Sequence, residues 1–454
     1  MKFFKYIIIV VIVIVLNFTF IGVFAADNEY SDIRVKDWFY NDIKRLSDVS
    51  IMEGYADNTF RPYEPITCEE FIKCILNVVG VKFDETGNKD IENLYIEYAL
   101  KNKFLTADEA AEGKFGVNKP ILRGIMTKII IVAMDIEIAE VDNPFADISN
   151  NYINTAYDEY LIRGSYNSDG KLECNMQSYA SRAEVAVILN RVLKYLDDPY
   201  EYKKEMILNI AENSIISTES EILDFYYVIN KEFITEFTFN TSFSITQLKD
   251  FYYLGDSLSM DTFQANNISY SYYATSTEVT IKLMYNIDVE TIKRRTSNSI
   301  DIAESVVKKI INDNMTDEQK VRAIHDYIVL NCEYDYDNYL KGTIPEASYR
   351  IYGVFENKIA VCRGYCAAFN TMCRMAGVKA ISVSGTADFT GAHTWNAVLI
   401  NDVIYYIDVT YDDPVPDEKG RVMDTYFMVP ENKMDGGMYT WDKDMTQKKY
   451  FYRF

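Results

Sequence analysis

Seven cysteines and only two histidines stand in this 454-residue chain, so thiol and imidazole chemistry have few places to occur. Three of the cysteines, Cys362, Cys366 and Cys373, crowd one segment, and its apolar spacing and the stop at Gly377 predict a helix from about Cys362 to Met375. Their spacing sets all three on one stripe of that helix. Cys362 opens it, where the positive end of the helix dipole favours a thiolate. Cys366 and Cys373 lie deeper and read as small buried apolar groups. Downstream, residues 392–400 alternate as a strand, with His393, Trp395 and Ala397 on one face and Asn396 and Val398 on the other. After a turn at Asn401-Asp402, residues 404–410 place Tyr406, Asp408 and Thr410 on one face. A two-residue turn makes the strands antiparallel neighbours, so His393 and Asp408 can meet across the pair. Thiol, imidazole and orienting carboxylate form the general pattern of a thiol nucleophile. In it His393 holds the Cys362 proton and later delivers it to a leaving group. Asp408 fixes the imidazole tautomer, and backbone N–H groups at the helix start face a developing oxyanion.

Each residue also has an ordinary reading. Cys362 alone could be a structural thiol, and Asp408 a turn carboxylate. His325, on an earlier helix, reads as a hydrogen-bonded structural residue. Trp395 either packs beside the nucleophile and screens it from water or simply fills core. Asp412, Asp413, Asp417 and Glu418 lack the ligand spacing of a calcium loop and read as a solvated loop. Three cysteines on one helix face cannot enclose a tetrahedral metal, so zinc is rejected. No metal or cofactor is expected.

The elements that must hold this constellation start at Thr316, whose capping box with Gln319 opens a helix with Val321, Ile324 and Ile328 on one face. Before it, residues 200–236 read as charged helix. Residues 268–272 and 278–283 alternate like a hairpin around 274–276. No chemistry is recognisable in that stretch. Earlier still, residues 30–80 and 145–195 share one pattern: an aromatic and Asp-Ile opening (Asp32-Ile33, Asp147-Ile148), a helix-period segment, and a Gly/Tyr turn (Gly54-Tyr55, Gly164-Ser165-Tyr166). Then Thr67 or Ser181 caps a second apolar-periodic helix. Residues 88–138 repeat the scheme faintly, with Asp90-Ile91 and Pro120-Ile121-Leu122-Arg123. Two helices per repeat imply a stacked helical array.

Two families resemble these segments. Gly54-Tyr55-Ala56-Asp57-Asn58-Thr59-Phe60-Arg61-Pro62 and Ser181-Arg182-Ala183-Glu184 resemble the S-layer homology (SLH) family in its arrangement of three tandem modules. That resemblance implies a three-pronged helical spindle holding an exported protein on anionic secondary cell-wall polysaccharide. It implies ligand-facing arginines at Arg182 and, with weaker support, Arg123; in the first module Cys68 takes that place. Val361-Cys362-x-Gly364-Tyr365, His393-x-Trp395-Asn396 and Asp408-x-Thr410-Tyr411-Asp412-Asp413-Pro414 resemble, in order, the three blocks of the transglutaminase-like (transglutaminase/protease) superfamily. This resemblance implies a Cys362–His393–Asp408 triad on a papain-like α+β fold. It also implies chemistry through a thioester: acyl transfer to an amine, deamidation or peptide hydrolysis on a protein or peptide substrate. A non-catalytic scaffold with the same fold is the competing reading.

Composition sets the context. The balance of 46 Lys and Arg against 68 Asp and Glu gives a net charge of −22, which argues against nucleic-acid binding. Lys2, Lys5, the apolar run from Ile7 to about Val23 and Val23-Phe24-Ala25 read as a signal peptide cleaved after Ala25, or retained as an anchor. A secreted protein at the bacterial cell wall, with no membrane contact after cleavage, follows. The expected architecture is multidomain, an all-α SLH repeat array followed by an α+β papain-like/transglutaminase-like domain. Its segments are a signal peptide (1–25), SLH modules at 26–82, 83–140 (degenerate) and 141–196, a middle region (197–304), a transglutaminase-like domain (305–432) and a C-terminal tail (433–454).

Overall fold

The computed structural model describes residues 30–83, 91–106, 119–259, 265–273, 277–387, 391–434 and 438–453. The signal peptide expected at 1–25, the Asp90 opening of the second repeat and the 274–276 turn lie outside the described residues. Among the described residues, no helix is long and apolar enough to cross a membrane. The chain forms two compact units, residues 1–206 and 207–454.

The first unit contains three helix pairs: α1 (Tyr40–Asp48) with α2 (Cys68–Val78), α3 (Ile91–Lys101) with α4 (Arg123–Ala133), and α5 (Asn151–Asp158) with α6 (Arg182–Asp197). Capping boxes at Thr67/Glu70 and Ser181/Glu184 start α2 and α6. The array is not wholly helical, which corrects the all-α expectation. Ser165–Tyr166 (β1) and Leu172–Glu173 (β2) pair antiparallel, and Gly170 supplies the positive φ of +72° in the turn between them. The second helices of the three pairs all begin at one hub. There, Pro65 bridges Ser181, Thr67 bridges Pro120, and Leu122 bridges Tyr179, so each short segment pairs with the other two.

Arg182 belongs to this hub and not to the surface. It is 4% exposed. Its Nε donates to the Phe60 carbonyl at 2.9 Å and its Nη2 to the Glu53 carbonyl at 2.7 Å, while Nη1 faces Glu70 Oε1 at 3.4 Å. The rings of Tyr55 and Phe60 lie against its guanidinium. The expectation of an open, ligand-facing Arg182 is therefore corrected, since its donors are committed to the first helix pair. Arg123 makes the matching link to Glu184, across from the second pair to the third. At the corresponding place in the cycle, Cys68 stands for the arginine and Ile125 for the glutamate. Neither residue at that place carries a charge matching the Arg–Glu links, and burial pushes the Cys68 thiol up to about 12. Arg182→Met should lower the unfolding free energy of this unit by about 2–4 kcal/mol, because two buried carbonyls lose their donor. Glu70→Gln, which can still fill the capping box, should cost under about 1 kcal/mol. Urea unfolding of both variants checks the contrast.

The second unit has helices α7 (Glu219–Lys231), α8 (Ile245–Ser259), α9 (Val289–Ile310), α10 (Asp317–Asn331) and α11 (Cys362–Met375). One sheet runs in the order β3 (Ile215–Ile216), β4 (Glu236–Thr241), β6 (Glu278–Met284), β5 (Asn267–Tyr272). In it β5 and β6 form an antiparallel pair with Ile268 opposite Leu283. A second four-stranded sheet contains β7 (Lys379–Ala387), β8 (Gly391–Ile400), β9 (Val403–Ile407) and β10 (Tyr439–Trp441) in the antiparallel order β9-β8-β7-β10. Asn401 and Asp402 turn β8 into β9 with φ of 50° and 65°, the backbone a two-residue hairpin requires.

This second sheet separates two cores. On one side Val398 and Ile400 meet Phe369 and Met372 of α11, with Val321, Ile324 and Ile328 of α10 behind them. On the other, Trp395, Ala397 and Leu399 meet Leu258 of α8 and Tyr450 and Phe451 from the chain's last turns. The stretch read as a middle region and the stretch read as a tail thus both pack onto this sheet. Gly385 lets the tail strand close: a Cβ there would lie 2.1 Å from the Thr440 carbonyl and 2.9 Å from the Trp395 ring.

Candidate active site

Helix α11 begins where an extended Val361 hands over to Cys362. The preceding segment, residues 346–349, is drawn onto this end of the helix. The Val361 N–H donates to the Ser348 carbonyl at 2.8 Å, and a Cβ on Gly364 would lie 2.6 Å from that same oxygen. Cys362 is half-buried at the dipole's positive end, close enough to His393 for the imidazole to act on its thiol. Burial alone would raise the thiol's pKa. The hydrogen bond and charge of His393, aided by the Thr394 backbone, bring it below its ordinary value.

His393 lies on β8, and its Nε2 meets Asp408 Oδ2 at 2.8 Å. Asp408 is not inside a strand: β9 ends at Ile407, and the chain turns as the Asp412 N–H reaches back to the Asp408 carbonyl. With Asn396 opposite Ile407, the carboxylate reaches His393 diagonally rather than directly across. Burial opposes the imidazolium, but the Asp408 charge and hydrogen bond, joined by Cys362, raise His393 to about 10. Since this lies above the unfolded value near ~6.5, the pairing stabilises the fold at and below neutral pH. That contribution is lost as pH rises through about 10. Because Nε2 is taken by Asp408, Nδ1 is the nitrogen left for the thiol.

Several participants were invisible in the sequence pattern. Tyr439, from the tail strand, donates its hydroxyl to Asp408 Oδ2 at 2.8 Å, and Tyr411 N–H donates to Oδ1 at 3.1 Å. Burial and the Asp408 charge hold the Tyr439 phenol far above its usual range, so it remains a donor. Arg363, next to Cys362, forms a bidentate ion pair with Asp256 of α8. Asn396 donates to Asn370 at 2.8 Å, and Asn370 to Ser382 at 2.8 Å, a polar chain linking β8, α11 and β7. A capping or periodicity signal reaches a few residues; apart from the Tyr411 N–H, three residues from Asp408, these pairings span 12 to 107.

Trp395 is fully buried on the face opposite Asn396, against Tyr439 at 5.0 Å and Trp441 at 5.5 Å between ring centroids. Its ring also stacks beside the His393 imidazole, 6.1 Å between centroids. Asp412 and Asp413, read as a solvated loop, are corrected to buried groups. Asp412 accepts from His325 Nε2 and the Tyr426 N–H, and Asp413 accepts from the Tyr365 hydroxyl of α11. Burial raises the Asp413 carboxyl to about 7. Asp417 and Glu418 are exposed. Among the described residues, no group of three or more His, Cys, Asp or Glu side chains is placed to hold a metal.

Residues 304–409 match the transglutaminase-like superfamily, and residues 29–72 match the S-layer homology domain. The chain carries a transglutaminase-like core and an S-layer homology domain. A Surface-layer 125 kDa protein from Lysinibacillus sphaericus is 23% identical over 292 residues, 60% of this chain and 24% of that protein. The kyphoscoliosis peptidase of Homo sapiens is 26% identical over 125 residues, 25% of this chain and 19% of that protein. The chain spans about a quarter or less of the length of these relatives. The crystal structure of a TGase aligns with a TM-score of 0.24 and 16% identity over 38% of this chain and 50% of that one. Cys362 lies within the matched transglutaminase-like core together with His393 and Asp408, whereas Tyr439 lies beyond it.

Tyr439→Phe keeps the ring and removes one of the two donors on Asp408 Oδ2. Unfolding free energy should fall by about 1.5–3 kcal/mol. The imidazolium of His393, facing a less neutralised carboxylate, should titrate at a still higher pH. With two histidines in the chain, NMR of the imidazole carbons separates this shift from a purely structural loss.

Proposed function

We propose that this is a cell-surface thiol enzyme acting on amide bonds. The S-layer homology domain would hold it on secondary cell-wall polysaccharide, and Cys362, His393 and Asp408 would carry the reaction. The observation that supports it is the position of His393, whose Nε2 meets the fully buried Asp408 at 2.8 Å while its ring lies close enough to Cys362 to lower the thiol. In this reading the Cys362 thiolate attacks the carbonyl carbon of an amide. Backbone N–H groups at the start of α11 stabilise the oxyanion. His393 gives its Nδ1 proton to the departing nitrogen, and the C–N bond breaks to leave a thioester. His393 then takes a proton from water or from an amine as that nucleophile attacks, and the thiolate is restored. Water gives hydrolysis or deamidation; an amine gives acyl transfer. Asp408 holds the imidazole in the required tautomer throughout.

Envelope proteins or wall peptides are the substrates this arrangement favours, because attachment to the wall raises their local concentration. Arg123, with 18% of its side chain exposed and a buried Nε without a partner, is the better candidate for a wall contact than Arg182.

The test is the pH dependence of iodoacetamide alkylation at each cysteine, read by mass spectrometry. Burial holds Cys68, Cys74, Cys174 and Cys332 at about 12 and Cys366 and Cys373 higher still, so these should react slowly near neutral pH. Cys362 should react at least about tenfold faster than all six near pH 6.5. His393→Ala should abolish that advantage, and Asp408→Asn should diminish it. A wild-type Cys362 that reacts only as an ordinary thiol, near pH ~8.5, sinks the proposal.

A further inference from the structure

Beside the start of α11 the second unit has a cleft of about 490 Å³. Tyr252 and Tyr253 of α8 and Asn267 of β5 form one wall, and Tyr349 and Arg363 form the other. The first wall belongs to the stretch in which the sequence shows no chemistry. It is fixed to α11 by the Arg363–Asp256 ion pair, whose side chains are only 26% and 17% exposed, and to strand β7 by Ser257 Oγ, which donates to Ser384 Oγ at 3.0 Å. The second wall adjoins the nucleophile. Arg363 follows Cys362 in the chain, and Tyr349 is near enough that the thiolate's charge, after burial, raises its phenol.

The chemistry of the lining selects its occupant. The cleft's charges are already matched, Asp256 to Arg363 and Glu346 to Arg350, so a charged guest would find no free counter-ion. Exposed tyrosine rings, Tyr253 at 60% and Tyr349 at 37%, offer flat faces at the rim, and the Asn267 amide offers both a donor and an acceptor suited to a main chain. The volume falls in the range of ordinary ligand sites, about 300–1,000 Å³. We propose that this cleft binds an extended, uncharged, aromatic-bearing stretch of polypeptide leading to Cys362, and that residues 207–304 form the specificity wall of the enzyme. The inference rests on the thiol-enzyme reading above. A polypeptide is chosen over a glycan because the neighbouring nucleophile is suited to an amide carbonyl.

The test uses the full chain and chloroacetyl tripeptide amides of sequence Gly-Tyr-Gly, Gly-Gly-Gly, Gly-Asp-Gly and Gly-Lys-Gly, each rate at Cys362 divided by that variant's own iodoacetamide rate. The tyrosine peptide should exceed the other three by about tenfold. Tyr253→Ser and Asn267→Ala should each reduce that preference to under about threefold. Equal rates for all four peptides, or a preference that survives both substitutions, overturn the proposal. So does protection of Cys362 by chito-oligosaccharide but not by the unreactive acetyl tyrosine peptide. The comparison is run at about pH 8.5, where even an ordinary thiol reacts. Loss of peptide preference therefore indicts the cleft, whereas a slow iodoacetamide reaction near neutrality indicts the catalytic reading alone.

Discussion

Asp408 is a carboxylate with no exposure to solvent, and a buried charge is tolerated only where its oxygens are hydrogen-bonded and an opposite charge is close. This constraint organises the second unit. One oxygen takes His393 and Tyr439, and the other takes the Tyr411 N–H. To supply Tyr439, the chain must return after Val429 and lay a strand along β7, which is possible because residue 385 has no side chain. To supply Tyr411, it must turn sharply after β9. That turn is pinned beneath by Asp412, bonded to His325 of α10, and by Asp413, bonded to Tyr365 of α11. The carboxylate thus connects the tail, the sheet and the two helices that carry the core.

Cys362 is positioned by a different set of contacts. The start of α11 is held from one side by the Ser348 carbonyl and from α8 by the ion pair to Arg363, and further along the helix the Asn396–Asn370–Ser382 chain ties it to the sheet. A thiol lowered by an imidazolium gains only if that imidazolium stays put, so rigidity on both sides of the Cys362–His393 pair is a chemical requirement as well as a packing one.

What the sequence made legible was local. The helix at Cys362, the capping box at Thr316 and the hairpin that brings His393 near Asp408 each depend on residues within a few positions of one another, where periodicity and turn chemistry speak directly. What it hid was long-range. Tyr439 falls in the expected tail and Asp256 in the middle region without recognisable chemistry, because nothing near them in sequence announces their partners. Arg182 was misjudged for the same reason: an arginine at a helix start reads as open until Glu53 and Phe60, more than a hundred residues earlier, are seen to accept from it. Asp412 and Asp413 looked solvated because acidic runs usually are, and only the buried His325 and Tyr365 explain them.

The hydroxyl of Tyr439 also sets an order of events. It arrives 31 residues after the carboxylate it completes and 77 after the thiol. A chain emerging from the ribosome therefore exposes Cys362 and His393 well before the last donor to Asp408 exists. Until residues beyond 438 are free to form the edge strand, the carboxylate lacks one of its hydrogen-bond donors.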